Sequence, residues 1–125
     1  MEKIIHYCKD IEEWPDSWKR DECDIEIGNR ILKKIFIPFF ENLIDQQYAK
    51  KTIKKHIDNI WLLGGELIDR INMDAELRNL GEFALVLKFI DSDGGPYSRH
   101  NDTESEMRSF DSSCKKLFKY LKLKT

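Results

Sequence analysis

AKKTIKKHIDNIWLLGGELIDRI, residues 49–71, places apolar side chains at Ile53, Ile57, Ile60, Trp61, Leu67, Ile68 and Ile71. Steps of three and four residues put these positions along one side of an α-helix, and the spacing predicts a helix with that side buried. Gly64 falls on the apolar stripe and Gly65 beside it. A glycine inside a helix costs about 0.5–1 kcal/mol relative to alanine, so a pair needs a physical reason. The stripe resumes in phase after the pair. That favours a close crossing of another element at Gly64 over a break in the helix.

A second helix is expected just upstream, from about residue 24 to residue 45. Ile27, Ile31, Ile35, Phe39 and Leu43 recur every four residues, with Leu32, Phe36, Phe40 and Ile44 in a row beside them. Pro38 lies inside this pattern. Its ring clashes with the preceding turn and it lacks a backbone donor, so a kink or split is expected near Ile37. Thr103-Glu104-Ser105-Glu106 has the capping-box pattern of a helix start. The helix that follows, to about residue 121, turns Met107, Phe110, Cys114, Leu117, Phe118 and Leu121 inward. Asp74 is placed to cap a short helix ending at Gly81, and Glu82 to Ile90 reads as helix rather than strand. Residues 1–21 show no period, and Trp14-Pro15-Asp16-Ser17-Trp18 is expected to be a turn whose tryptophans pin an irregular arm, with room for a short helix within residues 9–13.

These elements predict a compact all-α bundle of four or five helices with an irregular N-terminal arm, in a single domain spanning residues 1–125. The alternative is α+β, with a small strand pair from residues 3–8 and 83–90. The longest apolar run, Phe83 to Leu87, is far short of the ~20 residues that span a bilayer. The first residues lack the long apolar stretch of a secretion signal. A cytoplasmic protein with no membrane partner is therefore expected. Cys8, Cys23 and Cys114 are widely spaced, odd in number and without CxxC spacing, which points to reduced structural thiols.

Net charge is only −2, but it is unevenly distributed. Residues 1–27 carry four basic against nine acidic side chains, residues 28–60 seven against three, residues 61–106 four against ten, and residues 107–125 six against one. Such blocks either pair with one another or leave a local basic face on an acidic chain.

No catalytic motif is complete. Asp91-Ser92-Asp93-Gly94-Gly95 suggests a calcium loop, but its sixth position is Pro96 and its twelfth Asp102, where an EF-hand needs glycine and glutamate. A solvated turn is the better reading. Gly64-Gly65 is followed by Glu66 and makes no phosphate loop. His100, Asp102, Glu104 and Cys114 sketch a cysteine–histidine–acid site, yet Cys114 sits on the buried stripe of the last helix. His6 and Cys8 are too few ligands for zinc. No enzyme, cofactor or metal site is expected.

The remaining signal is basic. Lys50, Lys51, Lys54 and Lys55 occupy the first two turns of the glycine-bearing helix and face away from Ile53 and Ile57. Cations there oppose the helix dipole, whereas phosphates suit both the lysines and the helix start. The plainer readings are an ordinary solvated face, or pairing with the acidic N-terminal block.

Phe36-Ile37-Pro38-Phe39-Phe40-Glu41-Asn42-Leu43-Ile44, followed by Thr52-Ile53-Lys54-Lys55-His56-Ile57-Asp58-Asn59-Ile60-Trp61, resembles the helical core-binding domain of tyrosine recombinases and phage integrases. The resemblance covers residues 36–68. It implies a small DNA-clamping helical domain with backbone contacts from Lys51, Thr52, Lys54 and Lys55, to which Lys50 belongs by position. The family's small-residue turn is replaced here by Gln46 to Lys51, and its catalytic domain has no counterpart in these residues. The resulting expectation is a non-enzymatic interaction module whose partner is DNA. The alternative is a protein-binding adaptor or homodimer anchored by Trp14, Trp18 and Trp61.

Overall fold

In the computed structural model, which describes residues 2–98 and 100–124 but not the side chain of Glu2, the chain is all-α. The elements are α1 (Glu2–Ile5), α2 (Trp14–Trp18), α3 (Asp24–Ile31), α4 (Ile37–Asp45), α5 (Lys50–Met73), α6 (Glu82–Phe89) and α7 (Glu104–Lys124). Residues 3–5 and 83–89 are helical, so the strand pair held open by the sequence does not form.

α3 and α4 make one continuous rod joined by a π-helical turn, Leu32–Phe36. The Ile37 N–H reaches back five residues to the Leu32 carbonyl. Pro38 explains the turn. It has no N–H to give to Lys34, and a widened turn accommodates its ring without breaking the rod. The expected split at Ile37 is therefore a change of winding. Both apolar rows point inward: Ile31, Leu32, Ile35, Phe36, Phe39, Phe40 and Leu43 are buried.

The N-terminal arm is more regular than expected. Pro15 falls in the first turn of α2, where a missing N–H costs nothing, so Trp14-Pro15 starts a helix and not a loop. The tryptophans do pin the arm. Trp14 lies edge-on to Phe40 at 5.9 Å, and Trp18 edge-on to Phe36 at 6.0 Å. α1 docks on the end of α4 through buried Ile4, whose N–H donates to a Glu41 carboxylate oxygen at 3.0 Å, and through the Lys3–Asp45 ion pair.

α5 is unbroken through Gly64 and Gly65. Ile53, Ile57, Ile60, Leu67, Ile68 and Ile71 are buried as expected; Leu63 joins them, while Trp61 is 39% exposed at the stripe's edge. Its ring rests against α2, with Nε1 donating to Ser17 Oγ at 3.0 Å. At the far end Asp74 caps a 3-10 turn, Ala75–Asn79, by accepting the Glu76 N–H. α6 covers α3 with buried Leu85 and Val86, and Glu82 at its start pairs with Lys34 at 2.9 Å.

One buried carboxylate joins three elements. Asp24 opens α3 and accepts the N–H groups of Arg20 and Asp21, the Asn72 amide from α5, and the Arg78 guanidinium at 2.8 Å. Burial opposes its charge, but the Arg20 N–H, Arg78, Asn72 and the Asp21 N–H outweigh burial and hold its pKa at about 2. α7 begins with the expected capping box: Thr103 Oγ1 accepts the Glu106 N–H at 3.0 Å, and Glu106 Oε1 accepts the Thr103 N–H at 3.0 Å. Of its apolar residues, Phe110, Cys114, Leu117 and Leu121 are buried, but Met107 is 39% exposed and Phe118 only half-buried.

Candidate nucleic-acid interface

The start of α5 is set up by a chain reversal. Gln47 adopts a left-handed φ of 62° just past α4, and Ala49 is extended before the helix begins at Lys50. No side chain caps the first turn, so its N–H groups are free of the usual Ser, Thr, Asn or Asp partner. Lys50, Lys51, Lys54 and Lys55 are exposed and Thr52 is half-buried, while Ile53 and Ile57 turn inward. Among the described residues none of these four lysines forms an ion pair. Of the acidic N-terminal block, Asp16 and Glu22 pair with Lys19 and Asp24 with Arg78, and no ion pair among the described residues joins the block to these lysines.

A second group of lysines lies on the segment that the fold seats beside the start of α5. α7 runs antiparallel to α5, fixed by a buried polar ladder. His56 Nδ1 and Ser113 Oγ are 2.7 Å apart, and Asn59 Nδ2 donates to Ser113 Oγ at 2.9 Å and to the Ser109 carbonyl at 3.0 Å. Each step forward on α5 meets a step back on α7, so the end of α7 lies beside the start of α5. Lys116 Nζ donates to the Tyr48 hydroxyl at 2.7 Å and sits 4.6 Å over its ring, in the connection that leads into α5. Lys115, Lys119, Lys122 and Lys124 are exposed on the same segment. No ion pair reaches them among the described residues.

Between α4 and α7 this end opens into a groove of about 420 Å3. Asn42, Gln46 and Tyr48 line one side, Lys116, Lys119, Tyr120 and Lys124 the other, and no carboxylate lines it among the described residues. The Tyr120 ring stacks at a tilt on Phe39 at 5.5 Å, and burial raises its pKa. His56 adds no charge at neutral pH. Burial first, then the charges of Lys55 and Lys116, push its pKa down to about 4.

The other constellations do not assemble. Cys114 is fully buried, with Gly95 packed on its sulfur, whereas His100 is exposed. Burial, with Asp111 nearby, pushes the Cys114 thiol up to about 12, the reverse of a nucleophile. The Asp91 carboxylate turns onto its own loop and accepts the N–H groups of Asp93 and Gly94. Ser113 and His56 have the contact of a nucleophile and base, but Ser113 is completely buried and no substrate reaches it. Among the described residues no three His, Cys, Asp or Glu side chains are grouped to hold a metal, and no helix is long and apolar enough to cross a membrane.

No protein-family model, curated protein or solved structure matches the chain. The recombinase-like reading of residues 36–68 therefore rests on the residues that suggested it.

Proposed function

We propose that the chain is a non-enzymatic helical module that holds the phosphate backbone of DNA at the end where α5 begins and α7 finishes. The observation that carries this reading is that the antiparallel seating of α7 on α5 brings two lysine-rich stretches, Lys50, Lys51, Lys54 and Lys55 and Lys115, Lys116, Lys119, Lys122 and Lys124, to the same end of the bundle, where α5 begins uncapped. Like charges gathered at one end of the bundle repel, and among the described residues no ion pair relieves them. A polyanion relieves them, and the free N–H groups of the first turn point toward its phosphates. Thr52, half-buried in that turn, supplies a hydroxyl donor beside them. Contacts of this kind position a backbone and carry no base sequence, so binding is expected to be sequence-tolerant.

The test is anisotropy of a labelled duplex at 50 and 200 mM salt. Four phosphate contacts weaken binding by about a hundredfold across that range. Lys51→Glu/Lys55→Glu and, separately, Lys115→Glu/Lys119→Glu each reduce both affinity and its salt dependence. Absence of binding at the lower salt overturns the reading. Binding that either pair of substitutions leaves unchanged does so as well.

A further inference from the structure

Beyond the lysines, the outward side of α5 borders a groove of opposite chemistry. Its first part is an open cavity of about 490 Å3 between the N-terminal arm and α5. Trp14, Ile57, Trp61 and Leu62 form apolar walls, and Asp10, Glu13 and Asp58 stand among them. The cavity shares Ser17, Trp61 and Leu62 with the next depression, which shares Arg20, Glu66 and Asp69 with a third ending at Met73 and Tyr97. From Ile57 to Met73 the helix rises about 24 Å, so the groove is long enough for a peptide and not just for a single side chain.

Three features select the occupant. Charge comes first. Arg20 is engaged by Asp69 at 2.8 Å and Arg70 lies 5.6 Å over the Phe89 ring. Asp10, Glu13, Asp58 and Glu66 have no ion pair among the described residues. Apolar exposure comes second: Trp61, Met73 and Tyr97 are 39%, 81% and 71% exposed, and all three line this groove. Preorganisation comes third. The Trp61 indole donates to Ser17 Oγ, and its carbonyl accepts the Trp18 indole N–H at 2.9 Å, so little freedom remains to be lost on binding. Burial also raises the pKa of Asp58, against the charge of Lys54, and a cation beside it would reverse that shift.

We propose that this groove docks a basic amphipathic segment of a partner protein, with apolar side chains against Trp61 and ammonium or guanidinium groups at the carboxylates. The proposal uses none of the lysines of the basic end and stands or falls separately from DNA binding.

The probe is a fluorescein-labelled peptide, LKKLLKKLLKKL, followed by anisotropy, with LEELLEELLEEL as the charge-reversed control. The expected result is saturable one-to-one binding of the first peptide only. Glu13→Lys/Glu66→Lys, at surface positions that leave the core intact, weakens it about tenfold or more, and Trp61→Ala weakens it comparably. Lys51→Glu/Lys55→Glu does not weaken it. No saturable binding overturns the proposal, as does binding indifferent to Glu13→Lys/Glu66→Lys. Light scattering supplies the last arm: a dimer that Trp61→Ala dissociates would assign the groove to a second copy of the chain and overturn the proposal too.

Discussion

The indole of Trp18 lies directly on Gly64: a Cβ placed at that glycine would stand 2.1 Å from Trp18 Cζ2. At Gly65 the nearest ring atom would be 3.6 Å away, an ordinary contact. The two adjacent glycines of α5 thus have different reasons to exist. Gly64→Ala should destabilise the fold by about 1–3 kcal/mol in urea unfolding, despite alanine's better helix propensity. Gly65→Ala should be neutral or stabilising by up to about 1 kcal/mol. Equal effects at the two positions would contradict the packing described.

Asp24 should govern stability in strong acid. Its pKa is about 2 in the fold against an ordinary 3.8, so between these values the unfolded chain binds the extra proton. Stability from this group is complete above pH 3.8 and lost as pH falls toward 2, amounting to about 2 kcal/mol. Asp24→Asn should remove that slope and, by leaving Arg78 without its partner, destabilise the protein at neutral pH as well.

His56 should act in a different window. It is neutral when buried, with a pKa of about 4 against an ordinary 6.5, so unfolding takes up a proton between those values. Stability should fall by about 3 kcal/mol as pH drops from 6.5 to 4, and His56→Gln should flatten this part of the profile. Urea midpoints at half-unit pH steps separate the two windows, because the His56 slope ends where the Asp24 slope begins.

Thiol labelling should proceed in three phases. Cys23 is exposed and should react first with a disulfide reagent. Cys8 is partly buried, and burial followed by the hydrogen bond to Asp10 pushes its thiol up to about 11, so it should lag. Cys114, at about 12 and fully buried, should react only as the protein unfolds. Early modification of Cys114 would show that the turn at Gly94 and Gly95 lifts off α7.

What the sequence conveyed was periodic. Ile53, Ile57, Ile60 and Ile71 declared the inner side of α5, and the unshifted phase across Gly64 declared a close neighbour. It did not identify the neighbour, because the meeting of Trp18 with Gly64 spans residues far apart in the chain. Trp61 was misassigned for a related reason. Helical spacing alone places it at the border of the stripe, and its outward pose is decided by the hydrogen bond to Ser17 on α2. The basic end was half legible. Lys50 to Lys55 form a local cluster, but Lys115 to Lys124 join them only through the antiparallel seating of α7, which depends on His56, Asn59 and Ser113. Those residues carry no periodic signal. Pro15 misled in the opposite direction, since the same residue that closes one helix is well suited to open another.

The widened winding at Leu32–Phe36 has a geometric effect on the row Ile27, Ile31, Ile35, Phe39 and Leu43. At about 100° per residue, positions four apart overshoot a full circle, and from Ile27 to Leu43 the row would spiral by about 160°. A π turn holds about 4.4 residues, and five residues wound that way bring the total down to about 70°. All five side chains consequently stay within one sector, each 8% exposed or less. A proline usually seen as an interruption thus lets a strict four-residue repeat run straight enough to meet the same neighbours from end to end.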